Sequence, residues 1–313
     1  MKYLFFGSSE FAQIVLQELL QSEMKPILIV TQPPKPKGRK QILSPSPVQI
    51  LAEQNHLPFL TPLKLDNENF LQTIKNLKPD FALLTAYGKI IPQTLLSLPP
   101  KGFLNLHPSL LPKWRGATPI QATILAGDTE TGVTLFLMDE QIDHGPIIAN
   151  SKFKIQNSKL TYLELMQELA ILGAKLIIET LPQWLEGRIN SQPQDDSLAT
   201  YCHKITKEDE KINWQEDVNF IDRKVRALNP NPGVFTICQN KIIKIISGSP
   251  IFDHLGDKGK QIGEFFETSE HKLAIKCQNG SYQIDFLKPE GKKEMPSQNF
   301  LKGNQWILGQ VAS

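Results

Sequence analysis

Leu104–Gly116 reads LNLHPSLLPKWRG. Phe103 and Leu104 set off as an apolar strand, and Pro108, which lacks a backbone N–H, stops it. Alternation along a strand sends Asn105 and His107 to one face and Leu106 to the other. An amide and an imidazole therefore stand side by side where a strand gives way to a loop, the place where open α/β sheets hold their ligands. The amide offers fixed donors to an oxygen gaining negative charge. The imidazole gives or takes a proton near neutral pH. The pair suits attack of a nucleophile on a carbonyl, although Asn-x-His at a strand end also occurs as plain structure. Pro108 and Pro112 stiffen the loop that follows, and Trp114-Arg115-Gly116 adds a ring, a fixed cation and a flexible backbone point. A second apolar run, Gly132 to Leu137, leads into an acidic loop with Asp139, Glu140, Asp143 and His144. If the two strands are neighbours, Asp143 reaches His107.

Outward from this stretch the chain alternates short apolar runs with helical periodicity, the pattern of an α/β domain with a mostly parallel sheet. Lys2 to Phe6 reads as the opening strand. Gly7-Ser8-Ser9 then turns into a helix with Ser8 or Ser9 as N-cap and Glu10 in its first turn. The Gly-x-Gly-x-x-Gly fingerprint is absent, which argues against dinucleotide binding. The helix start either holds a phosphate or carboxylate or binds nothing. Thr31–Pro47, TQPPKPKGRKQILSPSP, is Pro-rich and carries Lys35, Lys37, Arg39 and Lys40, and no acid occurs between Glu23 and Glu53. Composition alone leaves it a solvated loop or a cationic arm for phosphates. Helices are expected from Ser44 or Ser46 to Asn55, from an Asp66 cap to Asn76, and from Ser158 to Leu181. Polar residues dominate from Pro182 to Asp209. After Pro232-Gly233 come short strands with an Asn279-Gly280 hairpin signal, the pattern of a small barrel.

The 313 residues suffice for two domains, and a net charge of +2 leaves any basic footprint to be local. Cys202, Cys238 and Cys277 are scattered and form no Cys-x-x-Cys pattern, which suggests reduced thiols and a cytoplasmic protein. The apolar start Tyr3–Phe6 is too short for a signal-peptide core, and no apolar run is long enough to span a bilayer. The spacing of Asp139, Glu140, Asp143 and His144 fits no standard zinc motif, so no metal is expected.

Leu104–Ile148, LNLHPSLLPKWRGATPIQATILAGDTETGVTLFLMDEQIDHGPII, closely resembles the folate-dependent formyltransferases. FFGSSEFA at the start, GRKQILSPSP, INW and RALNPNPG extend the resemblance over nearly the whole chain, and it weakens after about Asn240. The polar run is read as a linker (190–208) between a first domain (1–189) and a second (209–313); the resemblance implies a Rossmann-like catalytic domain for the first and a domain of oligonucleotide-binding (OB) type for the second. The implied reaction carries the formyl group of 10-formyltetrahydrofolate to the free amine of methionyl-initiator tRNA.

Asn105, His107 and Asp143 match the family's catalytic residues. Asn105 is expected to serve the developing oxyanion, His107 to bond the carbonyl oxygen and help move the proton, and Asp143 to hold the imidazole. Either His107 or Asp143 finally takes the amine proton. Ser109, Leu110, Leu111 and Pro112 match the loop placed against the folate, and Tyr87 and Gly88 are expected beside it. Lys37, Arg39 and Lys40 match the basic loop that meets the tRNA acceptor end. Arg115 is expected to contact an anion or tRNA. Lys292 and Lys293, with Lys241, Lys244 and Lys288, are candidates for a basic face on the second domain. The chain is expected to be a monomer. A sugar-nucleotide formyltransferase, a hydrolase of formyl-folate and a non-catalytic RNA-binding protein are the rival readings. The basic loop and barrel argue against the first two, and the intact trio argues against the third.

Overall fold

The computed structural model describes residues 1–37, 41–157, 159–252 and 255–312. It divides into two compact units, one of Met1–Pro119, Glu130–Ile155 and Leu163–Cys202, the other of Ile120–Thr129, Gln156–Tyr162 and His203–Ser313.

In the first unit β1 (Tyr3–Gly7) is buried throughout and α1 (Glu10–Gln21) follows, capped by Ser9, whose hydroxyl accepts from the Ala12 amide. Next come β2 (Leu28–Val30), then β3 (Lys35–Lys37) and β4 (Ile42–Ser44), which pair as a hairpin inside the basic loop. Composition alone left that loop irregular. Ser46 caps α2 (Pro47–Gln54) with Pro47 in its first turn. β5 (Phe59–Leu60), α3 (Glu68–Leu77), β6 (Phe81–Thr85), α4 (Gln93–Leu96), β7 (Phe103–His107) and β8 (Arg115–Gly116) complete this stretch. The cap of α3 is Asn67, one residue beyond the expected Asp66; both types cap well, and the Asn67 side chain is the one that accepts from Phe70.

α5 (Pro119–Ala126) falls almost wholly in the second unit, and the first resumes with β9 (Glu130–Leu137), β10 (Ile147–Lys154) and α6 (Tyr162–Leu185). The expected helix start at Ser158 lies outside the described residues. The sheet order is β10-β9-β7-β6-β1-β2-β5. β5, β2, β1, β6 and β7 run parallel, and β9 and β10 are antiparallel additions. On one face Leu4, Phe6, Leu84, Tyr87 and Phe103 pack in a continuous apolar cluster. On the other, α6 comes close to β7 because residue 173 is glycine; a Cβ there would lie 2.5 Å from Leu106 Cδ2. The strand carrying Asn105 and His107 is thus held from both faces and both edges. β11 (Tyr201–Cys202) pairs in parallel with β8.

The second unit contains α7 (Lys207–Glu210), α8 (Val218–Leu228), β12 (Val234–Cys238), β13 (Lys241–Ile251), β14 (Phe265–Glu267), β15 (Leu273–Cys277), β16 (Gly280–Pro289), β17 (Met295–Pro296) and α9 (Ser297–Leu301). The strands form an antiparallel sheet in the order β12-β13-β16-β15-β14, with β17 beside β16. The Asn279-Gly280 turn joins β15 to β16 as its hairpin signal indicates. Trp214 is buried, and its indole N–H donates to Thr236 Oγ1 at 2.9 Å, so a large apolar side chain enters this core without an unmet donor.

Candidate active site

β7 lies between β6 and β9, with Asn105 paired to Leu84 on one side and to Phe136 on the other. The registers place Asn105 and His107 at the carboxyl end of the parallel strands. The acidic loop leaves β9 next door and brings Asp143 back to them. Asp143 Oδ2 lies 3.6 Å from His107 Nδ1, and Oδ1 accepts from Asn105 Nδ2 at 3.4 Å. Oδ2 also accepts from the Gly116 amide at 2.8 Å. All three side chains are at least seven-eighths buried: Asn105 is 8% exposed, His107 5%, and the Asp143 side chain 12%. Two segments 38 residues apart thus converge around one small polar space.

His107 Nε2 lies 2.9 Å from Trp114 O. A carbonyl can only accept, so this nitrogen donates and Nδ1 is left facing the carboxylate. Both ring nitrogens therefore address acceptors, and a reacting carbonyl must draw Nε2 away from Trp114 O. Trp114 has φ +61 and Asp143 has φ +51, left-handed conformations that residues with a Cβ adopt rarely. Strain of this kind gathers on the two residues that touch the imidazole.

Arg115 corrects an expectation. It is 2% exposed, so it is not placed to touch an anion or RNA. Its Nε and Nη2 donate to Gln194 Oε1 at 3.0 and 2.8 Å, and Nη2 also donates to Asp196 at 2.8 Å. Burial opposes its charge, but hydrogen bonds to Asp196 and Tyr201 and their charge attraction outweigh that and hold the guanidinium above its ordinary value. The hydrogen bond from Arg115 in turn keeps the Asp196 carboxyl below the usual range. His144, on the acidic loop, is held above its ordinary value chiefly by its 2.6 Å hydrogen bond to Asp139.

The expected folate loop is partly turned inward. Ser109 is buried and its hydroxyl donates to Lys113 O, so that group is consumed within the turn. Leu111 is buried as well, while Thr134 on β9 donates to Ser109 O at 2.7 Å and accepts from the Leu111 amide at 3.1 Å. Leu110 and Pro112 stay partly open. Tyr87 is fully buried, edge-on to Phe6 at 5.5 Å, whereas Ala86 and Gly88 on either side are exposed. These residues border a cleft of 390 Å³ also lined by Ser8, Ser9, Gln32, Lys35 and Ser46. Arg39, Lys40 and the side chain of Lys37 lie outside the described residues. Lys292 and Lys293 are exposed on the turn between β16 and β17.

The contributions of Gln194, Thr200 and Thr134 were missed from the sequence. The Thr200 hydroxyl accepts from the Trp114 amide at 2.9 Å and its carbonyl from Arg115 N at 2.9 Å. The one available signal was the polar run from Pro182 to Asp209, which composition assigns to a linker.

A formyl transferase domain model matches residues 1–181, and the formyl transferase C-terminal domain matches residues 204–305. The chain belongs to the formyltransferase family. Among curated relatives, this formyltransferase is 40% identical to the methionyl-tRNA formyltransferases of Dictyoglomus thermophilum and Carboxydothermus hydrogenoformans, with 99% of each chain covered in both cases. Solved structures share the fold at lower identity. HypX from Aquifex aeolicus, in complex with tetrahydrofolic acid, superposes with a TM-score of 0.66 at 19% identity over 96% of this formyltransferase and 47% of HypX. An N-formyltransferase from Helicobacter canadensis, in complex with folinic acid and dTDP-3-aminofucose, gives 0.66 at 21% identity over 94% and 100%.

Proposed function

We propose that this formyltransferase moves the formyl group of 10-formyltetrahydrofolate to the free amino group of methionyl-initiator tRNA, giving N-formylmethionyl-tRNA for translation initiation. The observation that carries the chemistry is the convergence of Asn105 and His107 on Asp143, at 3.4 and 3.6 Å, at the sheet's carboxyl edge. The tRNA acceptor rests on relatives of that name that align end to end at 40% identity.

The folate supplies an activated formyl carbonyl when bound. The loop after β6 suits a flat heterocycle with alternating donors and acceptors: Ala86 and Gly88, at φ +44 and +79, leave backbone exposed one strand away from Asn105. Leu110 and Pro112 are the members of the 109–112 loop open enough to pack against it. Asn105 Nδ2 donates to the carbonyl oxygen as the amine attacks; one such donor is typically worth about 10²–10³ in rate. His107 Nε2 exchanges Trp114 O for the same oxygen. The Asp143 carboxylate keeps the ring in place and stabilises positive charge on it; the proton shed by the amine passes by way of this pair to the folate nitrogen as the bond from that nitrogen to the formyl carbon breaks, and tetrahydrofolate leaves. Residues 209–313 hold the tRNA together with the basic tip at Lys37, Arg39 and Lys40, and Lys292 and Lys293 add surface charge. The protein acts as a monomer in the cytoplasm.

Purified protein is expected to formylate charged initiator tRNA with 10-formyltetrahydrofolate as donor. Absence of formylmethionyl product with an intact charged tRNA, or transfer to an amino-sugar nucleotide instead, refutes this reading.

A further inference from the structure

Residues 191–202 are polar and largely exposed, yet they grip the acidic loop. Ile147 and Gln192 exchange two backbone hydrogen bonds of 2.7 Å each. Two residues on, the Gln194 carboxamide is used at both ends. Its Nε2 donates to Asp143 O at 2.9 Å and to Gly145 O at 2.8 Å. Its Oε1 accepts from Arg115 Nε and Nη2. A carboxamide can be turned end for end, but a buried guanidinium can only donate, so Arg115 fixes which end faces the loop. The two carbonyls that Gln194 holds belong to the Asp143–His144 and Gly145–Pro146 peptides, so those two planes, just after Asp143 and just before β10, are pinned. Asp143 itself sits at φ +51, a left-handed conformation that a residue with a Cβ keeps only when its surroundings over-determine it. That left-handed turn aims the carboxylate at His107 and at the Gly116 amide.

We propose that Gln194 is a positioning residue for formyl transfer: oriented by Arg115, it holds the Asp143 turn that keeps the carboxylate on His107. The proposal rests on the reading of Asp143 as part of the reacting set. Gln194→Glu tests it with little change of shape. The acid keeps an acceptor for Arg115 but sets a second acceptor against two carbonyls.

Steady-state formyl transfer and the amide resonance of Gly116, seen by selective ¹⁵N-glycine labelling of the full chain, are the two readouts. Asp143→Ala gives the reference position for a Gly116 amide without its acceptor. Gln194→Glu is expected to lower kcat about 10–10²-fold, the cost of a misplacement near 1 Å, with KM values held within about threefold. The Gly116 resonance should move toward its position in Asp143→Ala. In the Asp143→Ala background the same change should cost no more than about twofold, because the group it acts through is gone. An undiminished second loss in that background overturns the proposal, as does wild-type turnover with an unmoved Gly116 amide. If the amide moves while turnover is unchanged in both single variants, the brace stands and the catalytic reading of Asp143 falls. Gln194→Met, of similar length and without donors, runs the same cycle if the glutamate variant fails to fold.

Discussion

Gly145 offers a direct way to shift Asp143 without touching it. A Cβ at residue 145 would stand 1.8 Å from Leu137 O, 3.0 Å from Leu137 C and 3.3 Å from Asp139 N. All three are backbone atoms, so no side chain can swing aside. Real Cβ contacts do not fall below 3.0 Å, and 3.0 less 1.8 leaves at least 1.2 Å for the backbone to give. Leu137 ends a strand hydrogen-bonded on both sides, so the loop moves rather than the sheet. A misplacement near 1 Å costs about 10² in rate, or about 2.7 kcal/mol of activation free energy. Gly145→Ala is therefore expected to lower kcat about a hundredfold, with KM for folate and tRNA changed far less. Steady-state formylation beside a thermal melt measures this. Gly303→Ala, where an added Cβ meets nothing within 4 Å, is the control. A Gly145→Ala enzyme that folds normally and keeps kcat within about threefold of wild type would refute the reasoning.

Asn105→Ala and His107→Ala should each lower turnover by about 10²-fold or more while tRNA affinity stays near normal, as read by kinetics and filter binding; near-wild-type turnover removes that residue from the chemistry. Replacing Lys292 and Lys293 together by Gln should weaken tRNA binding in low salt and flatten its dependence on salt by up to about two units of slope; an unchanged slope takes that turn off the RNA surface. Burial raises all three thiols, Cys277 to about 12, so alkylation by iodoacetamide at pH 8 should run slower than for a free thiol and should accelerate on denaturation; fast labelling of the native protein contradicts the buried, protonated state.

Local signals in the sequence carried a large part of the fold. Ser9 and Ser46 cap helices because their hydroxyls meet orphan N–H groups within the same turn; spacing narrows each cap to two serines, and the geometry picks one. Alternation put Asn105 and His107 on one face, and the second apolar run supplied the neighbour that delivers Asp143. Arg115 was misread because its partners, Gln194 and Asp196, lie 79 and 81 residues away. A cation beside an aromatic and a glycine looks the same whether it faces solvent or a buried amide. Residues 190–208 read as a linker for the same reason: the Gln194 carboxamide is spent on two backbone carbonyls and on Arg115, and composition cannot tell a satisfied amide from a hydrated one. The start of α3 differed by one residue because Asp66 and Asn67 are equivalent as caps until the geometry chooses.

Gly116 has φ +121, and a Cβ there would fall 2.0 Å from Cys202 O, so the carbonyl of residue 202 is seated directly on the loop that carries Trp114 and Arg115. The order of biosynthesis gives this seat a consequence. A ribosome that has just delivered Asn105, His107 and Asp143 has not yet made residues 192–202, which hold Asp143 O, Gly145 O and the Gly116 backbone. That hold arrives late, with the stretch from Gln192 to Cys202, and a message cut short before that point yields a chain whose β7 keeps its neighbours β6 and β9 but whose Asp143 turn lacks Gln194.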